Sequence, residues 1–189
     1  MVHTTTRFTR ALVSGFTLIE LMMALAILGI LLGVAGPAFL EAQRNVAISG
    51  QANDLHADLA LARSEAVKRN QAVMLCASSN QTTCSGATWS QGWMIFADAN
   101  GNGAWDASEV PLKSRGPLGG ATTLESAGHL TAGGVAYVPY YPSGMSTPTG
   151  VDFVLCDART TPNGGRNIEI NNTGRPSVVR ITCPMTPSI

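Results

Sequence analysis

One short stretch of this chain spaces oxygen-bearing side chains as a hard cation would need them. Asp98, Asn100, Asn102 and Asp106 stand at positions 1, 3, 5 and 9 of a run in which Gly103 is position 6 and Glu109 position 12. Calcium loops present their ligands in that order. An EF-hand also needs a helix on each side, whereas an apolar, strand-like 92–97 enters this run and Val110-Pro111-Leu112-Lys113 leaves it. Asn and Gly at alternate positions suit a β-hairpin turn as well, because both tolerate left-handed backbone angles and Asn or Asp can bond back to nearby amides. A structural turn without a cofactor is the expectation, and calcium held by Asp98, Asn100, Asn102, Asp106 and Glu109 is the alternative.

A second chemistry is suggested near the C-terminus. Residues 157–189 carry Arg159, Arg166, Arg175 and Arg180 against Asp157 and Glu169 alone. Guanidinium groups grip phosphates in bidentate fashion, and the Gly164-Gly165 and Thr173-Gly174 turns would add backbone amides. Arg166, Arg175 and Arg180 are therefore candidate DNA contacts; the alternative is a solvated turn with arginines scattered on an exposed strand face. Four cysteines, an even number, read as disulfides if their segment lies outside the cytoplasm. Proximity pairs Cys76 with Cys84 and Cys156 with Cys183, one of the three connectivities that four cysteines allow. Zinc is disfavoured, since there is no CxxC and His3, His56 and His129 have no ligand spacing to any cysteine. No GxSxG, HExxH or Gly-rich phosphate loop is present, so the chain reads as a non-enzyme.

The elements that must position these residues follow from composition. The chain has 189 residues, 12 Lys+Arg and 12 Asp+Glu, with 13% charged and 45% hydrophobic residues. That balance excludes a disordered chain and a polybasic arm. Much of the apolar excess lies in one block, 16–36, whose length as a helix is about 30 Å, the thickness of a bilayer core. Arg7 and Arg10 precede it with no acid. By the positive-inside rule the short leader stays cytoplasmic and everything after Pro37 lies outside.

An ordinary secretory signal has a shorter apolar core and small residues after it. Here the distinctive residues lie in front, in Ser14-Gly15-Phe16-Thr17-Leu18-Ile19-Glu20. A carboxylate inside the membrane costs about 2.5 to 3.5 kcal/mol on insertion scales and so needs a partner. The junction and the lone Glu20 together resemble the class III signal of type IV prepilins and type II secretion pseudopilins. The resemblance implies cleavage by a prepilin peptidase between Gly15 and Phe16, N-methylation of Phe16, and pairing of Glu20 with the Phe16 amine of a neighbouring subunit during filament assembly. Loss of the leader would leave 10 basic against 12 acidic side chains, which argues against a general DNA-binding surface.

After Pro37, which should bend or loosen the helix, Ile48, Ala52, Leu55, Leu59, Ala62 and Ala66 recur at steps of four and three, the stripe of an amphipathic helix. Asp54, Asp58, Glu65 and Arg69 mark its polar face, and Glu65 and Arg69 are spaced as a favourable pair. One helix from 16 to about 70 is expected, roughly 80 Å long, with Gly50 a weak point. From 71 the period changes. Apolar runs at 71–77, 92–97, 110–113, 134–138, 151–156, 167–170 and 177–183 read as strands. In 167–170 and 177–183 apolar and polar positions alternate, one face buried and one wet. The expected class is α+β: a long N-terminal helix packed on an antiparallel head, as one sheet or folded into two.

This arrangement resembles the GspH/FimT/FimU group of minor pilins. Further residues carry the likeness: Leu61-Ala62-Arg63-Ser64-Glu65-Ala66, Lys68-Arg69-Asn70, Leu75-Cys76, Gly92-Trp93, 98–103 and Gly174-Arg175-Pro176. It is weakest over 118–150. The resemblance implies a leader at 1–15, a membrane and filament-core helix at 16–36, an amphipathic half at 37–70 and a periplasmic head at 71–189. Implied partners are the prepilin peptidase, other pilins or pseudopilins and the inner membrane. DNA is implied through a Gly-Arg-x-Arg motif, of which this chain keeps Gly174-Arg175 and lacks the second Arg, leaving Arg180 or Arg166 to supply it. A type II secretion pseudopilin is the alternative.

Overall fold

The computed structural model describes residues 15–132, 134–147, 150–159 and 164–183, without the side chains of Val34, Pro37 and Ala132. The expected leader, apart from Gly15, and the side chain expected to bend the helix at Pro37 lie outside this set. Two compact units divide between Gln43 and Arg44. The helix α1 (Leu18–Arg69) supplies residues to both and continues through Gly50.

In the first unit, Thr17 caps α1. Its side-chain oxygen accepts the Glu20 amide at 3.3 Å, which satisfies one of the free amides of the first turn. Apolar side chains then stand exposed around the helix, among them Leu18, Ile19, Leu21, Met22, Leu28 and Ile30. Among the described residues no single helix is by itself long and apolar enough to cross a membrane; Leu18–Gly33 and Ala38–Arg69, taken as a bent pair, meet that length and composition.

Among its described residues the second unit contains nine strands: β1 (Val73–Ala77), β2 (Trp93–Ala97), β3 (Val110–Arg115), β4 (Thr123–Ala127), β5 (Leu130–Ala132), β6 (Val135–Tyr140), β7 (Val151–Cys156), β8 (Gly165–Ile170) and β9 (Pro176–Ile181). They form two antiparallel sheets, in the orders β3-β2-β1-β6-β5 and β4-β7-β8-β9. Every residue of the expected helical stripe, Ile48 to Ala66, is buried. The stripe shares one core with Val73, Leu75, Trp93, Ile95 and Val138 of the first sheet and with Leu124, Phe153, Leu155, Ile168 and Ile170 of the second.

β1 and β2 are buried at every position, which accounts for their unbroken apolar sequences. Their outer face, Met74, Cys76, Met94 and Phe96 with Tyr137, is covered by Ala104, Trp105 and Cys84. The Phe96 ring meets the edge of Trp105 at 5.1 Å.

Three expectations are corrected. Strands β4 and β5 lie outside the expected apolar runs, because their polar and glycine-flanked sequences carry little periodicity. The last strand has no buried face along its length. β9 is an edge strand with Val178 36% and Val179 52% exposed, because among the described residues no further strand or helix covers it. Asp58, assigned to the polar face of the helix, is fully buried beneath β2 and β3. Glu65 and Arg69 do pair, at 2.6 Å.

Candidate functional site

A groove of about 560 Å³ runs between the last turns of α1 and the turn that joins β8 to β9, lined by His56, Ala60, Arg63, Ser64, Val67, Lys68, Arg175 and Pro176. The helical residues recur at steps of four, three and one, so one face of α1 forms the wall. The opposite wall is a tight turn. Asn171 Oδ1 accepts the amides of Thr173 at 3.1 Å and Arg175 at 2.9 Å, a side-chain bond to nearby backbone that fixes the turn. Gly174 has φ +74°, and a Cβ there would lie 2.1 Å from the Gly144 carbonyl oxygen. Only glycine fits.

Arg63 clamps this corner. Its Nε donates to the Gly144 carbonyl at 2.9 Å and its Nη2 to the Thr173 carbonyl at 3.2 Å. Two turns distant in sequence are thereby held to the helix by one guanidinium, and its charge is met by carbonyl dipoles rather than by a carboxylate. Beneath the corner, burial holds the Tyr140 phenol above its ordinary range despite the nearby Arg63 charge. Arg175 is exposed, and its guanidinium makes no hydrogen bond or ion pair among the described residues.

The three arginines singled out for DNA do not converge. Arg166 is buried, donating through Nη1 to the Gly165 carbonyl at 2.7 Å and through Nη2 to Ser49 at 2.9 Å. Burial, then the charges of Arg180 and Arg159, lower its pKa. It is a structural bridge to the helix, and the expectation of a phosphate contact there is withdrawn. Arg180 faces Arg166 across the β8–β9 ladder, away from Arg175. Arg159 is held by Asp157 at 2.7 Å and by Asn45 at 2.9 Å.

The calcium-like stretch folds as a self-capped loop over the first sheet. Asp98 accepts the amides of Gly101 at 2.8 Å and Gly103 at 3.0 Å; Asn100 and Asn102 each accept the amide two residues on, and both donate to Asp106 Oδ2. Glu109 accepts the amides of Ala99 and Asp106, both at 3.0 Å. Burial first, then the Asp98 and Asp106 charges, raise the Glu109 pKa. Among the described residues no three His, Cys, Asp or Glu side chains gather into a metal-holding group. The disulfides join Cys76 to Cys84 and Cys156 to Cys183. In the other unit Phe16 is 83% exposed and Glu20 is exposed in the first turn of α1.

Sequence reasoning identified Arg175 and missed Arg63 and Lys68 as its neighbours. The Thr173-Gly174 turn is legible in the sequence; its packing against Arg63, 110 residues away, is not.

The chain matches the family model described as type II transport protein GspH over residues 51–174, and that of the prokaryotic N-terminal methylation motif over residues 10–36. It is 38% identical over 95 residues to the pilin-like protein PilA1 of Thermus thermophilus, a match covering 50% of this chain and 54% of that protein. The chain thus spans about half the length of that relative. Its fold is similar to that of the type IV minor pilin FimU of Pseudomonas aeruginosa, with a TM-score of 0.53, 24% identity, and 70% of this chain and 87% of that one covered. The minor pseudopilin EpsH of the Vibrio cholerae type 2 secretion system gives a TM-score of 0.50 at 12% identity, covering 71% of this chain and 97% of that one.

Proposed function

Because the chain belongs to the GspH family of minor pilins and pseudopilins, structural subunits that carry an N-terminal methylation motif, we propose that it is a prepilin that assembles into a type IV pilus or its tip complex. A prepilin peptidase cuts between Gly15 and Phe16, and the new Phe16 amine is methylated. Residues 16–36 hold the chain in the inner membrane with residues 71–189 in the periplasm. On assembly the helix exchanges lipid for other subunits' helices, and Glu20 pairs with a neighbour's amine, removing two charges from an apolar environment together.

One observation carries this reading. Large apolar side chains from Phe16 to Leu40 stand at least half exposed, whereas the stripe from Ile48 to Ala66 is fully covered. An apolar helix of that length is stable only where lipid or other helices surround it. The test is processing: Gly15→Ala should accumulate uncleaved precursor in a cell containing the peptidase, and normal cleavage of that variant would overturn the assignment.

Two finer readings stand beside it. A type II secretion pseudopilin would share the processing and differ in the filament that contains it, which purification of sheared pili distinguishes. Capture of DNA during uptake is supported by the exposed Arg175 beside Arg63 and Lys68. A gel shift with a short duplex, lost in Arg175→Ala and weakened by salt, tests it. No metal or cofactor takes part in this reading, in which the loop from Asp98 to Glu109 serves as a cover for the outer face of β1 and β2.

A further inference from the structure

The groove beside Arg175 is lined by three cations and no acid. Arg63 is held by carbonyl oxygens. Lys68 is 76% exposed and reaches Glu65 at 3.5 Å, a carboxylate that Arg69 already engages at 2.6 Å. Positive charge is therefore left uncompensated along one wall of the head.

The opposite sign collects on the other side of the same hairpin. In the sheet β4-β7-β8-β9, Leu124, Phe153, Leu155, Ile168 and Ile170 point into the core. The alternate positions, including Glu125, Asp152, Val154, Asn167, Glu169, Ser177 and Val179, form the outer face, on which no Lys or Arg lies. Asp152 and Glu169 are direct cross-strand partners. Like charges in that relation destabilise a sheet, and among the described residues the side-chain hydrogen bond to this pair is the one that the Asn167 amide donates to Asp152 at 3.4 Å. A cation brought from outside would relieve the repulsion. Pro176, in the groove, pairs with Ile170 on the inner side, while Ser177 pairs with Glu169 on the outer side. The basic and acidic patches thus flank one end of the β8–β9 hairpin on opposite faces.

We propose that the Arg63–Lys68–Arg175 groove of one copy receives the Glu125–Asp152–Glu169 face of a second copy. This inference deepens the assembly reading and rests on it for the place where copies meet. The two patches differ, so the contact is heterologous. Each head offers its groove to one neighbour and its acidic face to the next, and repetition builds an open row rather than a closed dimer. Exposed ion pairs are individually weak, so the contact needs copies already concentrated by a shared membrane or filament, where a second binding event is effectively intramolecular. Such pairs are screened over about 8 Å at physiological salt, and the contact is correspondingly salt-sensitive.

The experiment uses the full chain in detergent micelles, with self-association followed by sedimentation. Arg175→Glu and Glu169→Arg should each weaken association at low salt at least about tenfold, and the double variant R175E/E169R should restore it, because both partners of the contact are reversed together. Singles that associate normally, or a double variant no better than either single, would overturn the proposal. A measurement on the unaltered chain guards against variants that fail to fold. Carbodiimide coupling of mixed isotopically light and heavy copies should join Lys68 of one to Glu169 or Asp152 of the other, and the absence of such mixed peptides counts against the contact. Duplex DNA that binds through Arg175 while Glu169→Arg leaves self-association unchanged would assign the groove to nucleic acid instead. Failure of the assembly reading would appear separately, in the cleavage of Gly15→Ala.

Discussion

The Trp93 indole on β2 donates a 2.9 Å hydrogen bond to the Asp58 carboxylate on α1, and Asp58 is fully buried where it accepts it. Arg115 Nε reaches the same oxygen at 3.0 Å, Lys113 pairs with the other, and the Arg115 guanidinium also lies 5.7 Å from the centre of the Trp93 ring. A second Arg115 nitrogen bonds Asp54 at 2.9 Å. One carboxylate therefore ties two strands to the helix, and its charge is matched by cations at the rim that remain 30% and 40% exposed. Two ion pairs and an indole bond together offset the burial of a lone carboxylate.

Asp58→Asn keeps the shape and an acceptor for Trp93 while leaving Lys113 without its counter-charge and Arg115 with that of Asp54 alone. It should cost about 2 to 4 kcal/mol, since truncating a buried charged partner removes both the pair and its hydrogen bonds. Urea denaturation checks this; a loss below about 0.5 kcal/mol, the range of an ordinary surface substitution, would mean that the network is not what holds β3 in place.

At the β8–β9 turn, Gly174→Ala combines left-handed backbone strain with a Cβ set against the Gly144 carbonyl. The backbone term alone is about 1 to 2 kcal/mol, and the contact adds to it. Gly101 has a similar φ of +73° but open space around it, so Gly101→Ala should show the backbone term alone. Paired thermal melts measure the difference, and Gly174→Ala should be the more destabilised of the two.

Acid sensitivity should trace to Asp157. Burial alone would raise its carboxyl, but the Arg159 hydrogen bonds, with the Arg159 and Arg44 charges, outweigh burial and hold it below the ordinary range. A carboxyl whose folded pKa is depressed adds stability above its unfolded pKa and loses it as pH falls through the folded value. Asp157→Asn should therefore lower stability at neutral pH and flatten the decline toward about pH 3. Denaturant titrations at both pH values test the sign; an equally steep decline in the variant would place the acid sensitivity elsewhere.

For the loop from Asp98 to Glu109, the expectation is a melting temperature unchanged by millimolar calcium. Its side-chain oxygens are already engaged by its own amides. Asp98→Ala should lower the melting temperature by the same amount with and without the ion, because it frees the Gly101 and Gly103 amides. A rise on adding calcium to the unaltered chain, abolished in Asp98→Ala, would establish a cation site.

Much of this protein is local and therefore legible in its sequence. The stripe from Ile48 to Ala66 shows the 3.6-residue period of a half-buried helix, and the Ile168 and Ile170 alternation shows the period of a strand with one wet face. Thr17 and Glu20 sit at capping distance, and seven residues separate Cys76 from Cys84. Each of these depends on neighbours along the chain. What tertiary structure decided depends on residues far apart in sequence. Asp58 has the spacing of a solvated position and is buried because β2 and β3, 35 or more residues on, bring Trp93, Lys113 and Arg115 over it. Arg166 lies in a basic tail and is buried because Ser49, 117 residues away, lies against it. Val179 has the alternation of a buried face and is exposed because, among the described residues, β9 has no outer neighbour. Composition and period report how much apolar surface a segment must hide, whereas which element covers it, and which charge meets which, is settled by the packing of both sheets on one helix.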